Sequence, residues 1–232
     1  MNNKIKIISK GILDVSPLMI PVVPFGIIYG VIGMDLGLGP YMTLGMSIIV
    51  FGGASQIVLL QLFSGGASSL VILSSVGAVN SRHVLYGAVL SENLSGLKFI
   101  WKIILSYVMV DQAFAVSNDY FRKNKRNKNK HYHLLATGFT CWTIWQFSTF
   151  AGIVLGSIIP EELGLKFAIP ITFLALLIND FKKFKNVIVM LVSGLIATFG
   201  YNLIPFKAYI IVATLSALLI AALLTNLNPN NK

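Results

Sequence analysis

The chain has 232 residues, of which 56% are hydrophobic and 11% charged, and it carries a formal net charge of +10 at pH 7. Its mean hydropathy is +0.79. Soluble domains carry about 25% charged residues, so this composition excludes a water-soluble fold and points to an all-α polytopic membrane protein. The basic residues collect between apolar runs, not on a basic-aromatic surface. That excludes nucleic acid as a partner and fits orientation in a lipid bilayer.

Eight apolar segments are predicted, at 11–34, 41–63, 67–90, 100–119, 134–158, 166–181, 187–203 and 207–225. A bilayer-crossing helix needs about 20 mainly apolar residues, so the chain 1–232 reads as a single transmembrane domain of about eight helices. Lys4, Lys6 and Lys10 resemble the charged start of a signal peptide. No small-x-small cleavage pattern follows, and three prolines do, so the first segment is expected to be a retained helix.

In that segment Pro17, Pro21 and Pro24 share one helical face and predict a kinked helix. Gly26, Gly30, Gly33 and Gly37 form a second stripe, suited to close approach of another helix. The second segment holds Phe51-Gly52-Gly53-Ala54-Ser55-Gln56 near its middle. Paired glycines are poor helix formers, and Ser55 and Gln56 are costly in lipid. Two readings follow. The helix is interrupted and its second half offers free amides to a substrate carboxylate, or the glycines admit a neighbour and Gln56 bonds across the interface.

The third segment carries Asn80, Arg82, His83 and Tyr86 within two turns. A charge at membrane depth costs about 2.5–3.5 kcal/mol or more, so it faces a bundle interior or a wet cavity. The fourth segment places Asp111 after Tyr107 at i, i+4 and before Gln112. Asp111 is either the counter-ion of Arg82 or a proton site. If Arg82 is close, the proton site falls to His83. The loop 120–133 is basic, rich in asparagine and solvated. Trp142 and Trp145 of the fifth segment read as packing residues, and Gln146 as a cavity residue.

Placing the N-terminus in the cytoplasm puts Lys4/Lys6/Lys10, Arg122 to Lys130 and Lys182/Lys183/Lys185 inside, and leaves Lys98, Lys102, Lys166 and Lys207 outside with Asp35, Glu92, Glu161 and Glu162. Both termini are then cytoplasmic and the positive-inside rule is obeyed. Cys141 is the one cysteine, which excludes an intramolecular disulfide and a multi-cysteine metal site. A faint echo at a spacing of 122 residues pairs Phe25, Gly30 and Phe51 with Phe147, Gly152 and Phe173. It suggests repeat halves at 11–119 and 134–225, in parallel or inverted relation.

Together these residues resemble the AzlC family of branched-chain amino acid exporters. The resemblance is carried by Pro24-Phe25-Gly26 with Gly30, Met46-Ser47, Phe51 through Gln56, Asn80, Arg82-His83, Leu85-Tyr86 and Asp111 through Ala115. It continues in Leu163 through Ala168, Pro170 and Phe173 through Leu177. It implies export of valine, leucine or azaleucine-like analogues from a bacterial plasma membrane, with a small hydrophobic subunit of the AzlD type. Gln112 and Lys166 stand where the family pattern has acidic residues, so Asp111 is the one carboxylate deep in its segment.

The expected function is therefore secondary transport, proton-coupled, with no cofactor, no metal and no catalytic residues. Gly52, Gly53, Ala54, Ser55, Gln56, Asn80, Arg82 and Tyr86 are the candidate substrate site, and Asp111 and His83 the candidate coupling residues. A channel for small amphiphilic solutes is the alternative, separated from a carrier by saturable counterflow. An intramembrane enzyme fits poorly. There is no phosphate-binding P-loop motif, only Asp111 lies deep, and Ser81 and His83 at i, i+2 do not face each other.

Overall fold

The first apolar run folds as a single helix, α1 (Asn3–Asp35), unbroken through Pro17, Pro21 and Pro24. Its buried positions include Ile7, Gly11, Val15, Met19, Val22, Gly26, Gly30 and Gly33. Steps of three and four keep these residues on one stripe of an α-helix. This computed structural model describes residues 3–125, 127–156, 181, 183–204 and 209–226. Among them it has nine helices and no strand, so the all-α expectation holds. After α1 come α2 (Gly39–Val50), α3 (Gly53–Ser64), α4 (Ser69–Leu94), α5 (Phe99–Tyr107), α6 (Asp111–Lys123) and α7 (His131–Gly156). The last two are α8 (Phe184–Leu203) and α9 (Tyr209–Asn226).

Among the described residues, two helices are both long and apolar enough to cross a membrane unaided, α1 and α8. The expected count of eight spans goes beyond this, and the fourth segment does not cross as expected. Lys130 Nζ bonds Asn93 Oδ1 and Trp101 packs on His131, so the loop before α5 and the loop after α6 lie on one side, although the charge pattern puts Glu92 outside and Arg122 to Lys130 inside. The second segment is two helices of 12 residues each, and the fourth is helices of 9 and 13 residues. At 1.5 Å per residue a 12-residue helix covers about 18 Å, short of a hydrocarbon core of about 30 Å. The sixth predicted segment, 166–181, lies outside the described residues apart from Phe181, as does the stretch of the family resemblance from Leu163 to Leu177.

The chain divides into two compact units, Met1–Gln56 with Asn80–Leu163, and Ile57–Val79 with Gly164–Lys232. In the first unit, α1 packs along α7. A Cβ added at Gly26 would lie 2.6 Å from Cβ of Ser148, and one at Gly152 would lie 3.0 Å from Cα of Gly30. Gly11 meets the His133 carbonyl, and Gly156 meets Val31 and Met34. Contacts that advance together along both helices mean that α1 and α7 run parallel. Gly30 and Gly152, 122 positions apart, sit where the backbones cross, so the contact has the spacing of the sequence echo. Backbones this close are possible only between small residues.

The Gly26/Gly30 face that could have received a partner helix is thus filled by α7, and Gly33 is covered by Thr43 of α2. Tyr29 adds a buried bond, its hydroxyl donating to the Thr43 carbonyl at 2.9 Å. Cys141 is buried and unpaired, as its apolar setting implies. In the second unit α8 and α9 form an antiparallel hairpin. Gly200 meets Tyr209 near the connection, and Lys185 Nζ donates to the Leu224 carbonyl, 2.8 Å away, at the other end.

Candidate functional site

Two interruptions organise the first unit. The first separates α2 from α3 where Gly52-Gly53 predicts it. Phe51 closes α2 in the left-handed region, φ 39°, the one non-glycine residue with positive φ among those described. A bulky residue there is a genuine outlier, and such strain of about 1–3 kcal/mol gathers at functional sites. Its ring is buried and lies 6.0 Å from that of Tyr107.

Several polar groups around the break are matched within the chain, although Gln56 Nε2 is buried without a partner. The Gly52 N–H donates to Gln56 Oε1 at 3.3 Å, and the Gly52 carbonyl accepts from Ser55 Oγ and from the Gln56 N–H, both at 2.8 Å. Ser55 and Gln56 are fully buried. The carbonyls ending α2 are taken by side chains from other helices: Gln146 Nε2 donates to Ser47 O at 3.3 Å, and the Tyr107 hydroxyl donates to Ile48 O. Trp142 Nε1 then donates to that same hydroxyl at 2.8 Å. By helix geometry the first amides of α3, at Gly53, Ala54 and Ser55, have no acceptor within the helix. A Cβ on Gly53 would come within 2.8 Å of the Trp145 ring and 3.1 Å of Phe25, so glycine lets the indole cover this helix start.

Some hydrogen-bonding capacity at the break remains uncommitted. Asn80 Oδ1, beside Gly52, is buried without a partner, and so are Gln146 Oε1 and Trp145 Nε1. A buried polar group left unmatched costs about 1–3 kcal/mol, so such groups call for an explanation. A ligand that donates to Asn80 Oδ1 beside Gly52 would supply one there.

The second interruption, Val108–Val110, lies between α5 and α6 and has neither glycine nor proline. Val110 is extended, and α6 begins on Asp111. Arg82 Nη1 pairs with Asp111 Oδ2 at 2.7 Å, and the Tyr86 hydroxyl donates to Asp111 Oδ1 at 2.9 Å. Tyr86 stacks on Phe114 with centroids 4.2 Å apart. The start of a helix favours a negative charge, so Asp111 has a guanidinium, a phenol and a helix dipole in its support.

The expected residues therefore fall into two groups. Gly52, Gly53, Ala54, Ser55, Gln56 and Asn80 belong to the first break, while Arg82, Tyr86 and Asp111 form one cluster at the second. His83 joins neither. Its Nδ1 lies 3.1 Å from the Asn80 carbonyl of its own helix, and its ring sits edge-on to Tyr86. The residues that sequence reasoning undervalued are on α7. Trp142, Trp145 and Gln146 recur at steps of three and one toward the break, but a helix of mixed aromatic and polar residues reads equally well as plain packing.

A family model described as AzlC protein matches residues 17–159. The inner membrane protein YgaZ of Escherichia coli is 27% identical over 186 residues, covering 78% of this chain and 76% of that protein. An uncharacterized membrane protein of Archaeoglobus fulgidus is 27% identical over 184 residues, 78% of each chain. One from Helicobacter pylori is 24% identical over 163 residues, 69% of this chain and 70% of the relative. No solved structure matches.

Proposed function

The chain belongs to the AzlC family of membrane proteins, and on that premise we propose that it is a secondary transporter exporting branched-chain amino acids. The observation that carries this reading is the first break, where a helix starts among fully buried polar residues with hydrogen-bonding capacity to spare. A zwitterion needs both signs of partner. The leading amides of α3 suit a carboxylate, since helix starts attract anions. Asn80 Oδ1 and Gln146 Oε1, flanking the break from α4 and α7, suit an ammonium group. The Phe25 and Trp145 rings, 5.7 Å apart, offer an apolar wall to an aliphatic side chain.

Arg82 is paired with Asp111 and is left out of the carboxylate site. In this reading the chain works with a small hydrophobic subunit, as the family resemblance implies. Both termini are cytoplasmic, as the distribution of basic residues suggests.

Counterflow of labelled leucine in proteoliposomes, with and without the small subunit, tests the function. Leucine and valine are expected to exchange saturably, and leucine methyl ester to compete at least about tenfold more weakly than the free acid, as a lost charge-assisted bond of about 1.5–3 kcal/mol requires. Equal competition by the ester would remove the carboxylate from the recognition at α3. Linear, non-saturating flux would indicate a pore.

A further inference from the structure

His133, the third residue of α7, is completely buried, yet it lies in neither break. Its Nε2 is 3.2 Å from Asp14 Oδ2 on α1, its Nδ1 is 3.1 Å from Ser117 Oγ on α6, and its ring stacks on Tyr120 at 4.0 Å, 5° from parallel. One side chain thus ties three helices together.

With the Thr137 proton placed on the Leu134 carbonyl, the remaining protons around the ring follow. The Thr137 hydroxyl spends its proton on the Leu134 carbonyl at 3.0 Å. Its 3.0 Å contact with Ser117 then requires Ser117 to donate. A hydroxyl has one proton, so Ser117 meets Nδ1 as an acceptor, and Nδ1 carries a hydrogen. The Nε2 to Asp14 contact therefore needs a second proton, held by the imidazole or by the carboxylate. Without it, a nitrogen lone pair faces a carboxylate oxygen across the α1–α7 seam, where Gly11 already touches the His133 carbonyl.

Asp14 has access to the surface. It lines a cleft of about 450 Å³ with Lys10, Asp119, Tyr120 and Lys123. The other charged groups around it are largely committed. Lys10 bonds Asp14 at 3.0 Å, and Lys123 pairs with Asp119 at 2.7 Å. His131 is turned toward Trp101. Along α6, Ser117 is six residues from Asp111, an axial rise of about 9 Å, so one helix connects the half-buried Arg82–Asp111 pair to this proton.

We propose that His133 and Asp14 are the proton-binding pair that couples transport to a pH gradient. The pair takes up one proton from water in the cleft, which closes the α1–α7 bond, and returns it to that water when the bond opens. The coupling role rests on the transport reading above, whereas proton binding by the pair does not.

Two measurements separate these. In the full chain labelled with nitrogen-15 histidine, the His133 ring, assigned by its loss in His133→Gln, is expected to titrate. Asp14→Asn is expected to shift that midpoint down by about one pH unit or more, a tenfold weaker proton affinity, because the anion stabilising the imidazolium is gone. A ring that does not titrate, or whose midpoint ignores Asp14→Asn, overturns the pair. In proteoliposomes, His133→Gln is expected to lose at least tenfold of the leucine accumulation driven by a pH gradient, while counterflow stays within twofold. Accumulation that survives in His133→Gln overturns the coupling role. Absence of leucine counterflow in the unmodified chain with the small subunit present overturns the transport reading instead, and the titration still decides the proton site.

Discussion

The α2–α3 break and the α5–α6 break both lie in the first unit and interrupt their apolar segments in different ways. At the first, glycines and a left-handed Phe51 release the helix, and the groups around it are neutral and buried. At the second, three ordinary residues, Val108 to Val110, leave the helix because of what they meet. Gly138 brings α7 against Val108, 2.5 Å from a Cβ placed there, and Asp111 gains Arg82 by starting a new helix. The first interruption is local and the second is imposed by tertiary structure. That contrast suits a division of labour, with a neutral break to receive a solute and a charged break to hold the bundle in register.

Enlarging the glycine at each break gives the largest expected effects. Gly53→Leu drives a side chain into the Trp145 and Phe25 rings and is expected to reduce leucine counterflow at least about 100-fold, the equivalent of roughly 2.7 kcal/mol, while the protein still inserts. Gly138→Leu meets backbone at Val108 and is expected to act on assembly, with overpacking of about 1–3 kcal/mol seen as a lower Tm in detergent. A well-folded Gly138→Leu with unchanged Tm would mean that α7 does not impose the second break.

How much of this the sequence reveals follows from the same contrast. Gly52-Gly53 announces its break because glycine's cost in a helix is local. The Val108–Val110 break is silent, since its cause is Gly138, 30 positions further on. The pairing of Arg82 with Asp111 is legible because two charges in apolar surroundings must find each other. Asp14 and His133 are not, because each sits near the end of an apolar run, where a charge or an imidazole looks like a boundary residue. Their meeting depends on α1 and α7 packing in parallel, and the echo between Gly30 and Gly152 is the only trace of that in the sequence. Three prolines fall inside α1, which runs on as one helix, since proline in a membrane helix is tolerated when neighbours satisfy the freed groups.

A medium effect is expected from Arg82 and Asp111. Arg82→Gln strands a carboxylate, whereas the double change Arg82→Gln with Asp111→Asn removes both charges. The pair is half-buried in apolar surroundings, where a lone charge costs more than no charge, so the double variant is expected to be the more stable of the two. A double-mutant cycle on unfolding should give a coupling of about 1–3 kcal/mol. Additive single effects would show the pair to be incidental and remove the structural role assigned to the second break.

The smallest and sharpest comparison removes one hydroxyl at each break. Tyr107→Phe takes away the donor to Ile48 O and the acceptor of Trp142 Nε1, leaving two groups unmatched. Tyr86→Phe takes away one donor to Asp111 and leaves that carboxylate with Arg82 and the start of α6. A bond to a charged group is worth more singly, about 1.5–3 kcal/mol against about 1 for a neutral one, and on that basis alone Tyr86 would matter more. The count of stranded groups decides the other way. Asp111 keeps its strongest partner, whereas the Ile48 carbonyl ends a helix in surroundings where lipid offers no replacement donor. Tyr107→Phe is therefore expected to lower stability by about 2 kcal/mol and Tyr86→Phe by about 1, both read from denaturant unfolding in the same detergent. Tyr86→Phe should leave leucine counterflow within about twofold, less than 0.5 kcal/mol, if, as proposed, the solute binds at the first break. The reverse order of stability, or a collapse of counterflow in Tyr86→Phe, would place the solute at the charged break and undo the division of labour between the two.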